Sequence, residues 1–525
     1  MLHAEDKPGR SSWGAAQMIA VAHWYALEIR RSVQRMLLVA YLLWMVMLMG
    51  WSLDSTGASQ SAAFIVPISL GVASAWIGFS LVRRFPPLLL TPIPLMFAFI
   101  ATFFGVGPCF HLTVEGSLPM SDLRVPVTVA DFFRVQALNL AGLSFLFLGM
   151  WWSQVLIKWH FSSRNHQLRV SGRPLRRREV LDLFRVSAYG DKVLRQGWLL
   201  FLCLAILLRG SDRILGHDLG SALPGFLNML DRSAWIAALL GGILAGRKGR
   251  IWWLAVLLPV VIGIADGALY LRKSFIVWPV ILGFLGLYLG GKGARTLSVG
   301  AIVVVALFLV AKPIVDAGRS AVWATQSMSA AQYYGQLAQK GDALGQPDGG
   351  VNEAWARLNY TPVQTGLMAA YDNGTPGGTF AEMHWMFIPR FLAMGEKPIL
   401  DFGARTTMVL FGHDRSSTGP TIFGEAYWNG GWLLVAISGL VTGAIFVAIG
   451  LTSLWLLLQK DVLAWPLVFS GLGSGQLLTG MFTKGLVGAA VVYFALVAVF
   501  WFFKRRRRRR AAHFSADAKK VGQRL

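Results

Sequence analysis

The chain has 525 residues, of which 55% are hydrophobic and only 14% charged, with a mean hydropathy of +0.54 and a formal net charge of +23. Soluble domains carry about 25% charged residues, so a string of soluble domains is excluded and an all-α polytopic membrane protein is expected. The two cysteines, Cys109 and Cys203, show neither a CxxC pair nor metal-type spacing, which rules out a disulfide framework and leaves them as packing residues.

In chain order, the first dozen residues are polar and no small-residue cleavage pattern follows the first apolar run, so no cleavable signal peptide is expected. Residues 13–27 are apolar, contain His23 and are closely followed by Arg30, Arg31 and Arg35, the pattern of an interfacial helix. Runs long enough to span then recur at 36–53, 64–82, 88–106, 135–157, 193–209, 233–246, 251–268, 274–290, 297–315, 430–457, 463–482 and 485–503, giving about twelve transmembrane helices.

If these helices alternate, the cationic connections fall on one face. They are Arg83–Arg84, residues 158–196 with ten Lys/Arg, the RKGR of 247–250, Lys292 with Arg295, Lys460 and the KRRRRRR of 504–510. Cationic loops stay cytoplasmic, so both termini are expected in the cytoplasm of a multi-pass protein. The net positive charge then reads as a topology signal and an anionic-lipid contact. No folded reader or aromatic interleaving accompanies the Arg run, so no nucleic-acid partner is expected.

A single transmembrane domain over 1–503 is expected, with nine helices in 36–315, a large outer segment at 316–429, three helices in 430–503 and a basic cytoplasmic tail at 504–525. A structureless connection of that length is unusual, so 316–429 should carry function and contain short helices, such as 320–340 and 352–371 between the GQPDGG and NGTPGG turns. Gly-rich GLGSGQLLTG at 471–480 reads as a helix-packing surface, because no strand precedes it.

Between 317 and 421 the outer segment holds seven Lys/Arg and eight Asp/Glu, and the cations stand beside apolar residues. Any one of Arg319, Arg357, Arg390, Lys397, Arg405 and Arg415 reads first as a snorkelling or paired side chain. Clustered on a face with no positive-inside pressure, they suit a phosphate-bearing lipid headgroup, whose oxygens a guanidinium grips in bidentate fashion. Glu425, His384, His413 and Asp414 are the candidates for a proton acceptor. Glu425 reads equally well as a carboxylate that complements a helix N-terminus. Tyr360, Trp385, Tyr427, Trp428 and Trp432 suit either sugar stacking or an interfacial aromatic belt. Asp266, Arg272 and Lys273 line a lipid entrance or snorkel. With no DxD pair or His/carboxylate cluster of ligand spacing, neither a metal nor a cofactor is expected.

The succession Arg357–Leu358, Thr361–Pro362, Gly374–Thr375, Gly378–Thr379, the FIPRF of 387–391, the EKP of 396–398 and the GEAYWNGGW of 424–432 resembles the Wzy-type bacterial oligosaccharide repeat-unit polymerases. The topology match covers about 36–503 and the motif match 357–432, with FLAMGEKP in place of the commoner aromatic-Pro wording. The resemblance implies a GT-C-like membrane glycosyltransferase of the bacterial inner membrane. It would join undecaprenyl-pyrophosphate-linked oligosaccharide units on the periplasmic side, among membrane lipids and beside a chain-length regulator and a flippase of the same pathway. It further implies Glu425, Arg390 and Arg357 as catalytic, and Arg319, Lys397, Arg405, His384, Tyr427 and His413 as binding pyrophosphate or glycan. An O-antigen ligase and a non-enzymatic lipid-linked oligosaccharide flippase or transporter are the alternatives.

Overall fold

The computed structural model describes residues 10–52, 56–109, 127–169, 179, 190–215, 232–293, 295–325, 358–388, 402–412 and 419–522. All regular structure among them is helical. The helices are α1 (Arg10–Ser52), α2 (Thr56–Arg84), α3 (Pro92–Phe99, continued by a π-helix over Ile100–Val106), α4 (Val129–Arg169), α5 (Asp191–Leu215), α6 (Ser233–Lys248), α7 (Trp253–Leu269), α8 (Lys273–Leu289), α9 (Arg295–Thr325), α10 (Thr361–Asp372), α11 (Phe402–Phe411), α12 (Ile422–Leu458), α13 (Trp465–Gly473) and α14 (Gly488–Gly522).

Among the described residues seven helices are long and apolar enough to cross a membrane: Gln17–Ser52, Ser61–Arg84, Pro92–Cys109, Val129–Trp159, Arg250–Leu269, Ile422–Leu458 and Phe482–Arg506. Lys273–Leu289 and Arg295–Ala311 are shorter apolar helices. The chain is thus a helical protein with the makings of a polytopic membrane protein, and the expected count of about twelve spans is corrected downward. Helix α6 has only 16 residues, about 24 Å of rise against a hydrocarbon core of about 30 Å. The expected span at 463–482 is interrupted: α13 gives way to a 3₁₀ segment over Ser474–Thr479, Met481 is extended, and a π-helix over Phe482–Val487 leads into α14.

Two boundaries differ as well. The expected interfacial helix at 13–27 and span at 36–53 form the single helix α1, because the connecting LEIRRSVQRM contains neither Gly nor Pro and Glu28 and Arg31 pair across one turn at 3.7 Å. Helix α12 begins at Ile422 rather than 430, so GEAYWN lies inside it; the helix kinks at Gly430 and Gly431, the latter at φ +60°. The basic stretch after 504 continues α14.

The chain groups into two compact units, Met1–Val180 with Asn352–Leu458 and Ser470–Leu525, and Leu181–Val351 with Gln459–Phe469. In the first, α4 and α12 pack so closely that a Cβ on Gly443 would stand 2.1 Å from the Leu146 carbonyl oxygen. Helix α1 is fixed to them by Tyr25, whose hydroxyl donates to the Val447 carbonyl at 3.0 Å, and by Trp44, whose Nε1 donates to Ser144 Oγ at 3.3 Å. In the second, α6 and α8 meet through Gly242 and Gly286, and Trp235 stacks on Trp278 with Phe275 and Phe469 at its edges. The starts of α5 and the end of α6 are joined by Asp191, 3.1 Å from Arg247 and 2.7 Å from Lys248. Both cysteines are free; Cys109 is half-buried, but Cys203 is exposed, which corrects its reading as a packing residue.

Candidate functional site

A buried polar network lies where α12 begins, within the first unit. Thr421 opens the helix: its hydroxyl oxygen accepts from the Gly424 amide at 3.1 Å, a side-chain N-cap. Thr421 is fully buried at φ +63°, a left-handed conformation rare for a β-branched residue, so surrounding bonds must hold it there. Gln364 on α10 supplies one of them, donating from Nε2 to Thr421 Oγ1 at 2.9 Å. The same amide exchanges bonds with Asn139 of α4 at 2.7 and 3.1 Å. Three helices are therefore tied at one buried point, where each amide satisfies the other.

One turn further on, the Glu425 carboxylate is 1% exposed and accepts four hydrogen bonds. Oε1 receives the hydroxyls of Thr379 at 2.7 Å and Thr483 at 2.5 Å; Oε2 receives the backbone amides of Phe482 at 2.6 Å and Thr483 at 3.3 Å. These occupy the roughly four lone-pair positions a carboxylate offers. The carboxylate clamps the helix N-terminus after the break at Met481, a different helix start from the one after Pro420–Thr421 where it stands in sequence.

The turn after α10 wraps the next residues of α12. Trp428 Nε1 donates to the Thr375 carbonyl at 3.0 Å and the Gly377 amide donates to the Trp428 carbonyl at 3.0 Å. Asn429 Nδ2 donates to Thr379 Oγ1 at 2.8 Å, and its Oδ1 accepts from the Phe380 amide at 3.2 Å. Tyr427 donates to Asp372 Oδ1 at 3.1 Å and accepts from Arg134 Nη2 at 2.6 Å, while Arg134 Nη1 lies 2.7 Å from Asp372 Oδ2. Tyr371 and Trp432 meet Tyr427 edge-on at 5.4 Å each, and Trp432 is 44% exposed whereas Trp428 is buried.

Beside the break, Phe380 stacks on Phe482 at 5.3 Å, and Phe402 of α11 packs with Met481, Trp385 and Met386. Arg405 lies over the Phe402 ring at 5.5 Å and forms a 2.7 Å ion pair with Glu382. His384 is exposed, its Nδ1 2.9 Å from the Ala381 carbonyl and its ring tilted against Trp385. Lys484 is exposed on the turn that follows the break. Burial pushes the Tyr360 phenol up, and its hydrogen bond with Thr479 pulls the other way.

Of the sequence candidates, Glu425, Tyr427, His384 and Arg405 are brought to this end of the first unit. Arg357, Arg390, Lys397, His413, Asp414 and Arg415 lie outside the described residues, and Arg319 is on α9 of the second unit with its side chain outside them. In the second unit Arg272 lies over the Tyr270 and Phe275 rings. Sequence reasoning missed Arg134, Asn139, Gln364, Asp372, Thr379 and Thr483. The signal for the first two was present, since Arg134 and Asn139 interrupt an apolar run and polar groups at membrane depth mark functional or packing sites. No group of three His, Cys, Asp or Glu is gathered for a metal among the described residues. Compared with family models, curated proteins and solved structures, the chain finds no match.

Proposed function

We propose that the protein is a Wzy-type, GT-C-like membrane glycosyltransferase that extends a glycan from polyprenyl-diphosphate-linked oligosaccharide units at the periplasmic face. The observation that carries this reading is the docking of the turn 373–380 on GEAYWN of α12. Two stretches about fifty residues apart are thereby fixed to one another where α12 begins; with the orientation expected from the sequence, a lipid-linked substrate would present its sugar there.

In the proposed reaction a sugar hydroxyl attacks the anomeric carbon of a lipid-linked chain and lipid diphosphate leaves. Charge then grows on the diphosphate, and cations held in a low-dielectric setting favour that change. Arg405 and Lys484 are the described residues suited to this, with Arg357, Arg390 and Lys397 as the further candidates from the sequence. Arg405 is held by Glu382, so it is oriented before a substrate arrives. Glu425 serves by fixing Thr379, Phe482 and Thr483 rather than by touching substrate.

The test is turnover of lipid-linked repeat units by purified protein, with Arg390→Ala and Arg405→Ala alongside. A ladder of longer glycans from wild type, weakened by about 100-fold in either variant, supports the reading. No ladder from wild type ends it. The interrupted helix at 474–487 favours one other reading, a non-enzymatic carrier of lipid-linked oligosaccharides, since transporters bind at broken helices. Such a carrier would move labelled lipid-linked units across a vesicle membrane without lengthening them.

A further inference from the structure

The acidic side chains at this end of the first unit differ in what their oxygens have left to do. Glu425 is saturated by four donors. Asp372 spends one oxygen on Tyr427 and the other on Arg134. Glu382 is different: Oε1 is held by Arg405 at 2.7 Å, while Oε2 is buried and has no hydrogen-bond partner among the described residues. Buried carboxylate oxygens are rarely left so, and an orphaned acceptor beside a fixed guanidinium asks for an incoming donor.

The surroundings of Glu382 fit a sugar. It precedes a single 3₁₀ turn, Met383–Met386, none of whose residues is fully buried. That turn carries Trp385, half-buried against Phe402 and Met481, and His384. An indole face and an oriented carboxylate are the usual partners of a sugar face and its hydroxyl. The other ionisable side chains nearby are Arg405, His384 and Lys484.

Resting on the glycosyltransferase reading, we infer that Glu382 is the proton acceptor for the attacking sugar hydroxyl, its other oxygen held by Arg405, the cation already assigned to the diphosphate. The hydroxyl proton passes to Glu382 Oε2 as the hydroxyl oxygen forms its bond to the anomeric carbon of the lipid-linked chain. The bond from that carbon to the diphosphate oxygen breaks, and its electron pair leaves with the lipid diphosphate. The protonated carboxyl then loses its proton to water. No oxidant or metal enters the balance.

The experiment uses the full chain in lipid nanodiscs and, as probe, the polyprenyl-diphosphate oligosaccharide fraction extracted from cells that lack the protein. Glu382→Gln keeps an oxygen for Arg405 and removes the base, so kcat should fall by about 100-fold or more with KM within about 2-fold. Glu382→Ala should be equally slow and should recover about 10-fold in added formate, which supplies a small carboxylate. Glu382→Gln turnover within about 3-fold of wild type overturns the inference, as does a loss in Glu382→Ala that formate leaves unchanged. Thermal unfolding and gel filtration of Glu382→Gln, matched to wild type, attribute its loss to chemistry; if it unfolds early, Glu382→Asp decides by whether a shortened carboxylate restores turnover. A wild-type chain that makes no ladder removes the glycosyltransferase reading and this role with it. A wild-type ladder matched by Glu382→Gln removes the role of Glu382 alone.

Discussion

The two units hold their helices together by different means. In the second, α6 and α8 approach until a Cβ on Gly286 would stand 2.2 Å from the Leu239 carbonyl oxygen, and aromatic rings fill the rest. In the first, α4 and α12 share that close backbone contact, but at the end where α12 begins it gives way to paired amides, a four-fold bonded carboxylate and an Arg–Asp–Tyr cluster. Close packing of small residues is enough to join apolar helices. The polar end is therefore more than packing requires: it fixes a turn and a broken helix in place.

Substitutions that strike one mode and spare the other sharpen this contrast. The largest effect is expected from Glu425→Ala, which leaves two hydroxyls and two buried amides without an acceptor; stability should drop by about 3 kcal/mol or more in detergent unfolding, with hydrogen exchange rising at 379–380 and 482–483. Equal exchange in both units would erase the distinction. Gly286→Leu should cost about 1–3 kcal/mol and speed exchange in α6 and α8, leaving 421–432 protected.

Gln364→Leu orphans Asn139 and one bond of Thr421, for a loss of about 1–2 kcal/mol; a double substitution with Asn139→Leu should recover part of it, because both polar partners are then gone. Arg134→Ala removes a half-exposed pair and should cost about 0.5–1 kcal/mol, seen as a lower unfolding midpoint and a weaker grip on the turn after Asp372.

The smallest effect is in the second unit. The hydrogen bond from Lys248, then the Arg247 partner, holds the Asp191 carboxyl below the usual carboxylate range. A depressed acid stabilises the fold above its ordinary value, and that stability is lost as pH falls through the depressed one. Unfolding from about pH 5 downward should therefore show a decline of no more than about 0.5 kcal/mol that Asp191→Asn abolishes, since the pair is solvent-exposed.

Much of the fold was legible because hydropathy is local. Most of the twelve expected runs are helical in the described residues, 463–482 being the one the fold breaks at Met481, and Arg83–Arg84 do end α2. The separate reading of 13–27 and 36–53 failed because charges within a helix do not break it; only lost backbone bonding does. Gly471 and Gly475 are packing positions, against Ser453 and Pro92, yet the same stretch is where the helix stops being regular.

The sequence by itself determined that this is an apolar helical chain and roughly where most of its helices fall. Only the tertiary structure decided what they do to one another. Thr379 reaches Glu425 across 46 positions, Thr483 across 58 and Arg134 reaches Tyr427 across 293. Composition and periodicity report a residue's own surroundings along the helix, whereas a buried carboxylate's donors are set by which helix ends the packing brings together. The sequence singled out Glu425 and passed over Glu382, and folding made the first a saturated clamp and left the second with an oxygen to spare.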